Sequence, residues 1–175
     1  SKAEEIRKEL DRVRREIEKR AEEDKRTLEE VRREHEKLVR ENEETIKRVE
    51  EDVERAGIDE KKKREIKEAL DDLRRKHEKL SRESEDAIRR SEKELRDLKE
   101  EIDRLLDRLR RILDEGRVPM EDALREIKEV ADEVRKKLRE LHEKNKKLMD
   151  DNRRKLDKSH KDVREVEREI RERIK

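Results

Sequence analysis

The chain has 175 residues, of which 63% are Asp, Glu, Lys or Arg, and its 56 basic side chains nearly balance its 55 acidic ones. It contains no Cys, Phe, Trp or Tyr, and only 2 Gly and 1 Pro. These figures exclude disulfides, thiolate metal sites and glycine-rich phosphate loops, and no apolar run approaches the roughly 20 residues that span a bilayer. The opening segment, SKAEEIRKELDR, lacks the pattern of a secretion signal. We therefore expect a soluble protein without a targeting segment, and its compartment is not predicted.

The first predicted helix covers about residues 2–56. Its apolar residues recur at steps of three and four, which is the spacing of one buried helical stripe. Ser1 and Glu4 have the pattern of a capping box at its start, and Gly57 is suited to the left-handed conformation that ends a helix. The stripe consists of Ile6, Leu10, Val13, Ile17, Ala21, Leu28, Val31, Leu38, Val49 and Val53.

The second predicted helix covers about residues 59–115. Asp59 is a good N-cap because its carboxylate can accept a hydrogen bond from the first turn, and Gly116 suits the position just after the helix. The apolar stripe has the same spacing as in the first helix. It consists of Ile66, Leu70, Leu73, Leu80, Ala87, Leu95, Leu98, Ile102, Leu105, Leu109 and Ile112.

The third predicted helix covers about residues 119–175. Pro119 suits the first turn, where its missing N–H costs nothing, and Glu121 and Asp122 then face the positive end of the helix dipole. Its stripe consists of Leu124, Ile127, Ala131, Val134, Leu138, Leu141, Leu148, Leu156, Val163, Val166, Ile170 and Ile174.

Two short loops between three helices predict an all-α fold, an up-down-up antiparallel three-helix bundle that forms a single domain over residues 1–175. At 1.5 Å per residue each helix would be roughly 80 Å long, which describes a coiled-coil-like rod. The mean apolar step of about 3.6 residues, rather than 3.5, predicts a nearly straight bundle with weak supercoil. One long helix that pairs with other chains is the alternative, and the evenly spaced Gly and Pro breaks disfavour it.

Polar residues interrupt the three stripes where core residues are expected. We predict that these residues lie in the core and fix the helix register by hydrogen-bonding one another; the alternative places them at the wet edge of the stripe. Three of the interruptions have similar sequences, HEKLVRENEETI, HEKLSRESEDAI and HEKNKKLMDDN. The predicted core polar residues are Asp24, His35, Asn42, Thr45, His77, Ser84, Ser91, His142, Asn145, Asn152, Ser159 and His160.

Folding the helices back at the two loops predicts which of these residues share a level. The predicted groups are Asp24 with Ser91 and His142; His77 with Asn42, Ser159 and His160; and His35 with Ser84 and Asn152. The ends of the bundle are then purely aliphatic.

Catalytic and metal sites are not predicted. Helical metal sites use Glu-x-x-His pairs, yet the residues three before His35, His77 and His142 are all Arg, and only His160 follows an acid, Asp157, at that spacing. Serine, histidine and aspartate share levels, but no loop is present to form an oxyanion hole. We therefore expect no enzyme activity, no metal and no cofactor.

The balanced charge and the lack of aromatic side chains argue against nucleic-acid and membrane binding. A monomer that requires no partner is predicted, with a homodimer as the alternative. A helix-binding or oligomerising module is another possibility, because the apolar pairs Leu38-Val39, Leu105-Leu106 and Ile112-Leu113 could line a groove. A pH-sensitive histidine network is a third, with a modest effect expected from four His, because buried neutral histidines become charged below about pH 6.5.

The whole chain resembles computationally designed helical bundles with buried hydrogen-bond networks. The resemblance rests on the near-equal helix lengths, the aliphatic core, the Glu/Lys/Arg-rich surface and the His, Asn and Ser residues set into the stripes. It implies a de novo scaffold with no natural biochemical function, whose core polar residues set helix register. Spectrin-like repeats are the nearest natural analogue, although they carry core Trp, and a natural coiled-coil segment is the competing reading.

Overall fold

The computed structural model describes residues 1–116 and 118–175, which form three α-helices. They are α1 (Lys2–Arg55), α2 (Glu60–Glu115) and α3 (Met120–Arg173). Each helix packs against the other two, so the prediction of an all-α three-helix bundle is confirmed. Arg117, in the second predicted loop, lies outside the described residues. Over the described ranges, no helix has an apolar stretch long enough to cross a membrane.

The three helices begin with the capping groups that the sequence predicts. The backbone N–H of Lys62 donates to the Asp59 carboxylate at 2.8 Å, and the N–H of Glu4 donates to the Ser1 hydroxyl at 3.4 Å. Pro119 immediately precedes α3, and its carbonyl accepts two backbone hydrogen bonds at 3.0 Å from the first turn. These contacts satisfy N–H groups that have no partner within the helix.

The two glycines behave differently at the helix ends. Gly116 has a φ of +60°, the left-handed conformation expected after α2. Gly57 has no positive φ, so the left-handed conformation anticipated there is not adopted. Instead, α1 ends in a tight turn in which the Ala56 N–H bonds to the Val53 carbonyl at 3.2 Å, and a bond between residues three apart does not require a left-handed residue.

The chain divides into two compact units, and each unit contains a segment of every helix. Unit 1 comprises Ser1–Glu29 and Arg90–Lys147, and unit 2 comprises Glu30–Arg89 and Leu148–Lys175. The apolar cluster of unit 1 contains Ile6, Leu10, Val13, Ile17, Ala21, Ile102, Leu106, Leu109, Leu113, Ala123, Ile127, Ala131, Val134 and Leu138. The apolar cluster of unit 2 is smaller and contains Ile46, Val49, Val53, Ile66, Leu70, Leu73, Val163 and Ile170.

The buried stripe of α2 differs in part from the predicted stripe. Its inner face carries Ile88, Leu106 and Leu113, whereas the predicted Ala87, Leu105 and Ile112 are only half-buried. The reason is that successive buried residues of α2 are four positions apart at these places. The sequence has two adjacent apolar residues at each of them, and either one could point inward. The same correction applies to Ala123 in place of Leu124 on α3, and Ile46 joins the stripe of α1.

Buried positions recur every 18 residues, a period that the steps of three and four conceal. Eighteen residues make five turns of an α-helix at 3.6 residues per turn, so residues 18 apart lie on the same face of a helix. On α1, the buried quartets are Ile6, Leu10, Val13 and Ile17; Asp24, Leu28, Val31 and His35; and Asn42, Ile46, Val49 and Val53.

Ion pairs between α1 and α3 recur with the same period. Both carboxylate oxygens of Glu16 accept from Arg135, at 2.7 and 3.1 Å, and those of Glu34 accept from Arg153 at 2.8 and 2.9 Å. Asp52 accepts from Arg171 at 2.7 Å. In each pair the α3 residue follows its α1 partner by 119 positions, so α1 and α3 are parallel.

Candidate functional site

Buried polar side chains are the candidate site, because all three helices contribute to them. Nine of the twelve predicted core polar residues are buried, and Ser91, His142 and His160 are half-buried. The buried residues are Asp24, His35, Asn42, Thr45, His77, Ser84, Asn145, Asn152 and Ser159. Seven of these nine belong to unit 2, and only Asp24 and Asn145 belong to unit 1.

In unit 1, Asp24 and His142 form a direct pair. The carboxylate of Asp24 accepts a hydrogen bond from Nδ1 of His142 at 2.9 Å. The Asp24 side chain is 2% exposed and that of His142 is 41% exposed, so the pair joins a buried acid to a ring that reaches solvent. Burial raises the pKa of Asp24 above its ordinary value of 3.8, and the hydrogen bond and charge of His142 oppose that rise.

Ser91 does not join this pair, although the sequence predicts that the three residues share a level. It makes no hydrogen bond to Asp24 or His142 among the described residues. Contacts such as Lys137 to Glu101 at 2.6 Å and Lys144 to Glu94 at 3.7 Å place Leu95 at the level of the pair instead. The helices therefore meet about one turn beyond the register assumed from the loop alone.

In unit 2, four polar residues are joined by hydrogen bonds, and we call them the Asn42 layer: Asn42, His77, Ser159 and His160. Nδ1 of His160 lies 3.2 Å from Oδ1 of Asn42, and Nδ2 of Asn42 lies 3.5 Å from Oγ of Ser159. Oγ of Ser159 lies 3.4 Å from Nδ1 of His77. The four residues come from all three helices.

The chemistry of these groups supports one direction of donation through the Asn42 layer, in which the tautomer of His77 decides the last bond. The Asn42 oxygen can only accept, so His160 donates from Nδ1; the Asn42 amide then donates to Ser159. The hydroxyl of Ser159 can donate in turn to Nδ1 of His77, which places the proton of His77 on Nε2, a buried atom that has no hydrogen-bond partner among the described residues. Each of these bonds thus has a donor and an acceptor, which is the condition for burying polar groups at low cost.

A second group in unit 2 lacks such pairing, and we call it the His35 layer: His35, Ser84 and Asn152. The three residues share a level, because the neighbouring ion pairs Arg32–Glu85 and Glu34–Arg153 connect the residues beside them. Among the described residues, Nδ1 of His35, Oγ of Ser84 and Nδ2 of Asn152 have no hydrogen-bond partner. Nε2 of His35 lies 3.7 Å from Glu85, too far for a hydrogen bond.

The remaining polar residues are placed individually. The hydroxyl of Thr45 donates to the Glu41 carbonyl at 3.0 Å, a bond within α1. Asn145 is fully buried, and within the described chain neither its amide nitrogen nor its oxygen has a partner. Unpaired buried polar groups cost about 1–3 kcal/mol each, so Asn145 is expected to reduce the stability of unit 1.

Burial lowers the pKa of both fully buried histidines below the ordinary value of 6.5. For His35, the charge of Glu85 opposes this effect, Arg32 reinforces it, and Glu36 and His77 act more weakly. For His77, burial is again the largest cause, and it is opposed by Glu43, the Val39 carbonyl and Glu78. Both rings are therefore held in the neutral form that hydrogen bonds within a layer require.

In the described ranges, no group of three or more His, Cys, Asp or Glu is arranged to hold a metal ion. No large apolar side chain of the described chain is exposed, and this includes the pairs Leu38-Val39, Leu105-Leu106 and Ile112-Leu113.

Comparison of the chain with protein-family models, with curated proteins and with solved structures found no match. The candidate site therefore rests on its geometry.

The 18-residue repeat is the feature that sequence reasoning missed. The positions of Asp24 and His142 correspond to those of Asn42 and His160, exactly one repeat later on both helices, and both pairs are 118 positions apart. One repeat earlier, the corresponding residues are the apolar Ile6 and Leu124. Aligning each stripe with itself at an offset of 18 residues would have revealed these equivalent positions.

Proposed function

We propose that this protein is a structural scaffold, of the designed helical-bundle kind that its sequence resembles, and that its core polar residues select one helix register and arrangement. The observation that carries the proposal is the chain of hydrogen bonds that joins the four residues of the Asn42 layer. A shift of one helix by one turn would leave Asn42, His77 and Ser159 unpaired in an apolar surrounding. Each unpaired group would cost about 1–3 kcal/mol, whereas a uniform aliphatic core would tolerate the shift.

The half-buried histidines support a role in helix arrangement as well as in register. His142 and His160 lie on the edge of α3 that faces α1, where Asp24 and Asn42 accept from them. If α3 packed on the other side of the α1–α2 pair, this edge would face α2. At the level of His142, α2 offers the apolar Leu95, so the hydrogen bond would be lost.

The repeat supplies a matched experiment. In the variant Asn42→Ile/His77→Leu/Ser159→Ala/His160→Leu, the Asn42 layer is replaced by the residues Ile6, Leu113, Ala123 and Leu124 that occupy the equivalent positions of unit 1. We expect the variant to melt at a higher temperature and to show extra or broadened amide resonances, or higher oligomers by light scattering, because several registers are then similar in energy. The unmodified protein should show one set of resonances.

As a control, Ile6→Val changes an apolar residue at the equivalent position of unit 1 and should leave the number of resonances unchanged. A layer-replaced variant that remains a monomer with a single sharp set of resonances would contradict the proposal.

A second candidate function is a pH response, which the burial of His35 and His77 favours. The groups facing His35 are Glu85, Arg32, Glu36 and His77, and those facing His77 are Glu43 and Glu78 together with the Val39 carbonyl. Protonation would place a positive charge inside each layer and cost stability. Thermal melts that superimpose at pH 7.5 and pH 4.5 would reject this function.

A further inference from the structure

We propose that His142, held by Asp24, is a nucleophile that cleaves small activated esters in the cleft beside it. The pair resembles in its chemistry the acid–histidine half of hydrolytic sites: the acid is buried and fixed, and the ring is half-exposed. Because Asp24 accepts from Nδ1, the lone pair of the neutral ring is on Nε2.

The cleft has about the volume that a small ester needs. It encloses about 280 Å³ and is lined by Arg20, Glu23, Asp24, Leu138, Arg139 and His142. Leu138 provides an apolar contact for an acyl or aryl group. The guanidinium groups of Arg20 and Arg139 are donors that can stabilise the negative charge that develops on an ester oxygen.

The reaction has two steps. In the first, Nε2 of His142 attacks the acyl carbon, the bond to the aryl oxygen breaks, and the aryloxide leaves with the electron pair. The Nδ1 proton passes to Asp24, which leaves a neutral acyl-imidazole. In the second, water adds to the acyl carbon and the C–N bond breaks. Asp24 returns its proton to Nδ1, and both protons of the water pass to solvent as the carboxylate forms.

The chain contains a natural control for the role of Asp24. His160 occupies the equivalent position one repeat later and also donates from Nδ1 to α1, but its acceptor is the amide of Asn42. An amide cannot take up a proton as the ring is acylated, whereas a carboxylate can. His142 should therefore react faster than His160.

The test is the hydrolysis of 4-nitrophenyl acetate by the full chain at pH 7, where exposed lysines are protonated and react slowly. We expect His142→Gln and Asp24→Asn each to lower the second-order rate constant on the order of tenfold, because the first removes the attacking nitrogen and the second removes the carboxylate that takes up its proton. His160→Gln should change it by less than about twofold. Nitrogen NMR should show His142 protonated on Nδ1 in the unmodified protein, because the ionised carboxylate of Asp24 can only accept a hydrogen bond.

A gain of reactivity keeps the proposal testable if a variant of Asp24 folds poorly. In Asn42→Asp, His160 acquires a carboxylate partner like that of His142. The rate due to His160 is the part that is lost when His160→Gln is added to the same variant. This part should rise on the order of tenfold relative to the unmodified protein. Equal rates for His142→Gln and His160→Gln, or no gain in Asn42→Asp, would overturn the proposal.

Discussion

Units 1 and 2 place different side chains at equivalent positions of one repeat. The layer Ile17, Ile102 and Val134 of unit 1 is entirely apolar, whereas the equivalent residues of unit 2 form the His35 layer. In the same way, the apolar Ile6 and Leu113 of unit 1 correspond to Asn42 and His77. Both units are nevertheless built from three packed helices. Polar layers are therefore unnecessary for helix pairing itself, and we infer that their contribution is to the choice among alternative pairings.

The largest predicted difference between the units comes from truncating equivalent residues on α2. Ile102→Ala should cost about 3 kcal/mol of unfolding free energy, because it removes buried methylenes and leaves a cavity in an apolar layer. Ser84→Ala, at the equivalent position of unit 2, should cost less than about 0.5 kcal/mol or stabilise, because the Ser84 hydroxyl has no partner among the described residues. Urea denaturation measures both. Equal losses would contradict this prediction, because they would mean that the Ser84 hydroxyl makes a stabilising hydrogen bond.

Two asparagines should respond to the same substitution with opposite signs. Asn42→Leu should cost about 1–2 kcal/mol, because it leaves His160 and Ser159 without their amide partner. Asn145→Leu should stabilise by about 1 kcal/mol, because it removes from unit 1 a buried amide that has no partner among the described residues. The free energies of unfolding of the two variants at pH 7.5 test this prediction. A lower stability in both variants would contradict the distinction between the hydrogen-bonded Asn42 and Asn145.

Acidification should weaken the layers of unit 2. The lowered pKa values of His35 and His77 mean that, between those values and the ordinary 6.5, the unfolded chain binds more protons than the native one. The contribution of these two histidines to the free energy of unfolding is therefore complete above about pH 6.5, and it decreases as the pH falls through this range. The raised pKa of Asp24 has the opposite effect on stability. Between pH 3.8 and the pKa of Asp24 in the folded protein, the native state binds more protons than the unfolded chain. Ionised Asp24 thus costs stability that protonation restores.

This prediction is checked by urea denaturation at pH 7.5 and pH 5. The difference between the two pH values should be smaller in His35→Leu/His77→Leu than in the unmodified protein. Asp24→Asn should not reduce that difference. If the double variant keeps the full pH dependence, other groups cause it.

The smallest effect is expected at the surface, where the two units should not differ. Arg135→Gln in unit 1 and Arg153→Gln in unit 2 each remove a bidentate ion pair with α1, from Glu16 and Glu34 respectively. Each loss of unfolding free energy should be small, and smaller still at high salt, because exposed ion pairs are screened by solvent and ions. Thermal melts of both variants at low and high salt test this, and clearly unequal losses would mean that the difference between the units extends beyond their interiors.

The helices and most of their caps could be predicted from the sequence, because steps of three and four, Asp59 and Gly116 act locally. Burial of Asp24, His35 and Asn42 also followed from their place in the stripe. The choice between Leu105 and Leu106 did not follow, since adjacent apolar residues fit the same stripe and only packing against α1 and α3 selects one.

Pairing within the site was harder to predict than burial. The level of Ser91 was misjudged by about one turn, because the length of a loop does not fix how far the helices overlap. That Asp24 and His142 lie at one level, by contrast, was expected, and in the structure the two side chains form a hydrogen bond. No spacing rule predicts that Asn145 lacks a hydrogen-bond partner within the described part of the chain, because this depends on the geometry of the side chains around it.

The directed hydrogen bonds of the Asn42 layer are the central claim, and the protonated nitrogen of each ring tests them most directly. Long-range nitrogen–proton NMR at pH 7.5 should show His160 protonated on Nδ1 and His77 protonated on Nε2, because His160 donates to Asn42 and His77 accepts from Ser159. Ser159→Ala should alter the signals of His77 and leave the tautomer of His160 unchanged. Two rings in rapid exchange between tautomers, as in free imidazole, would contradict the account.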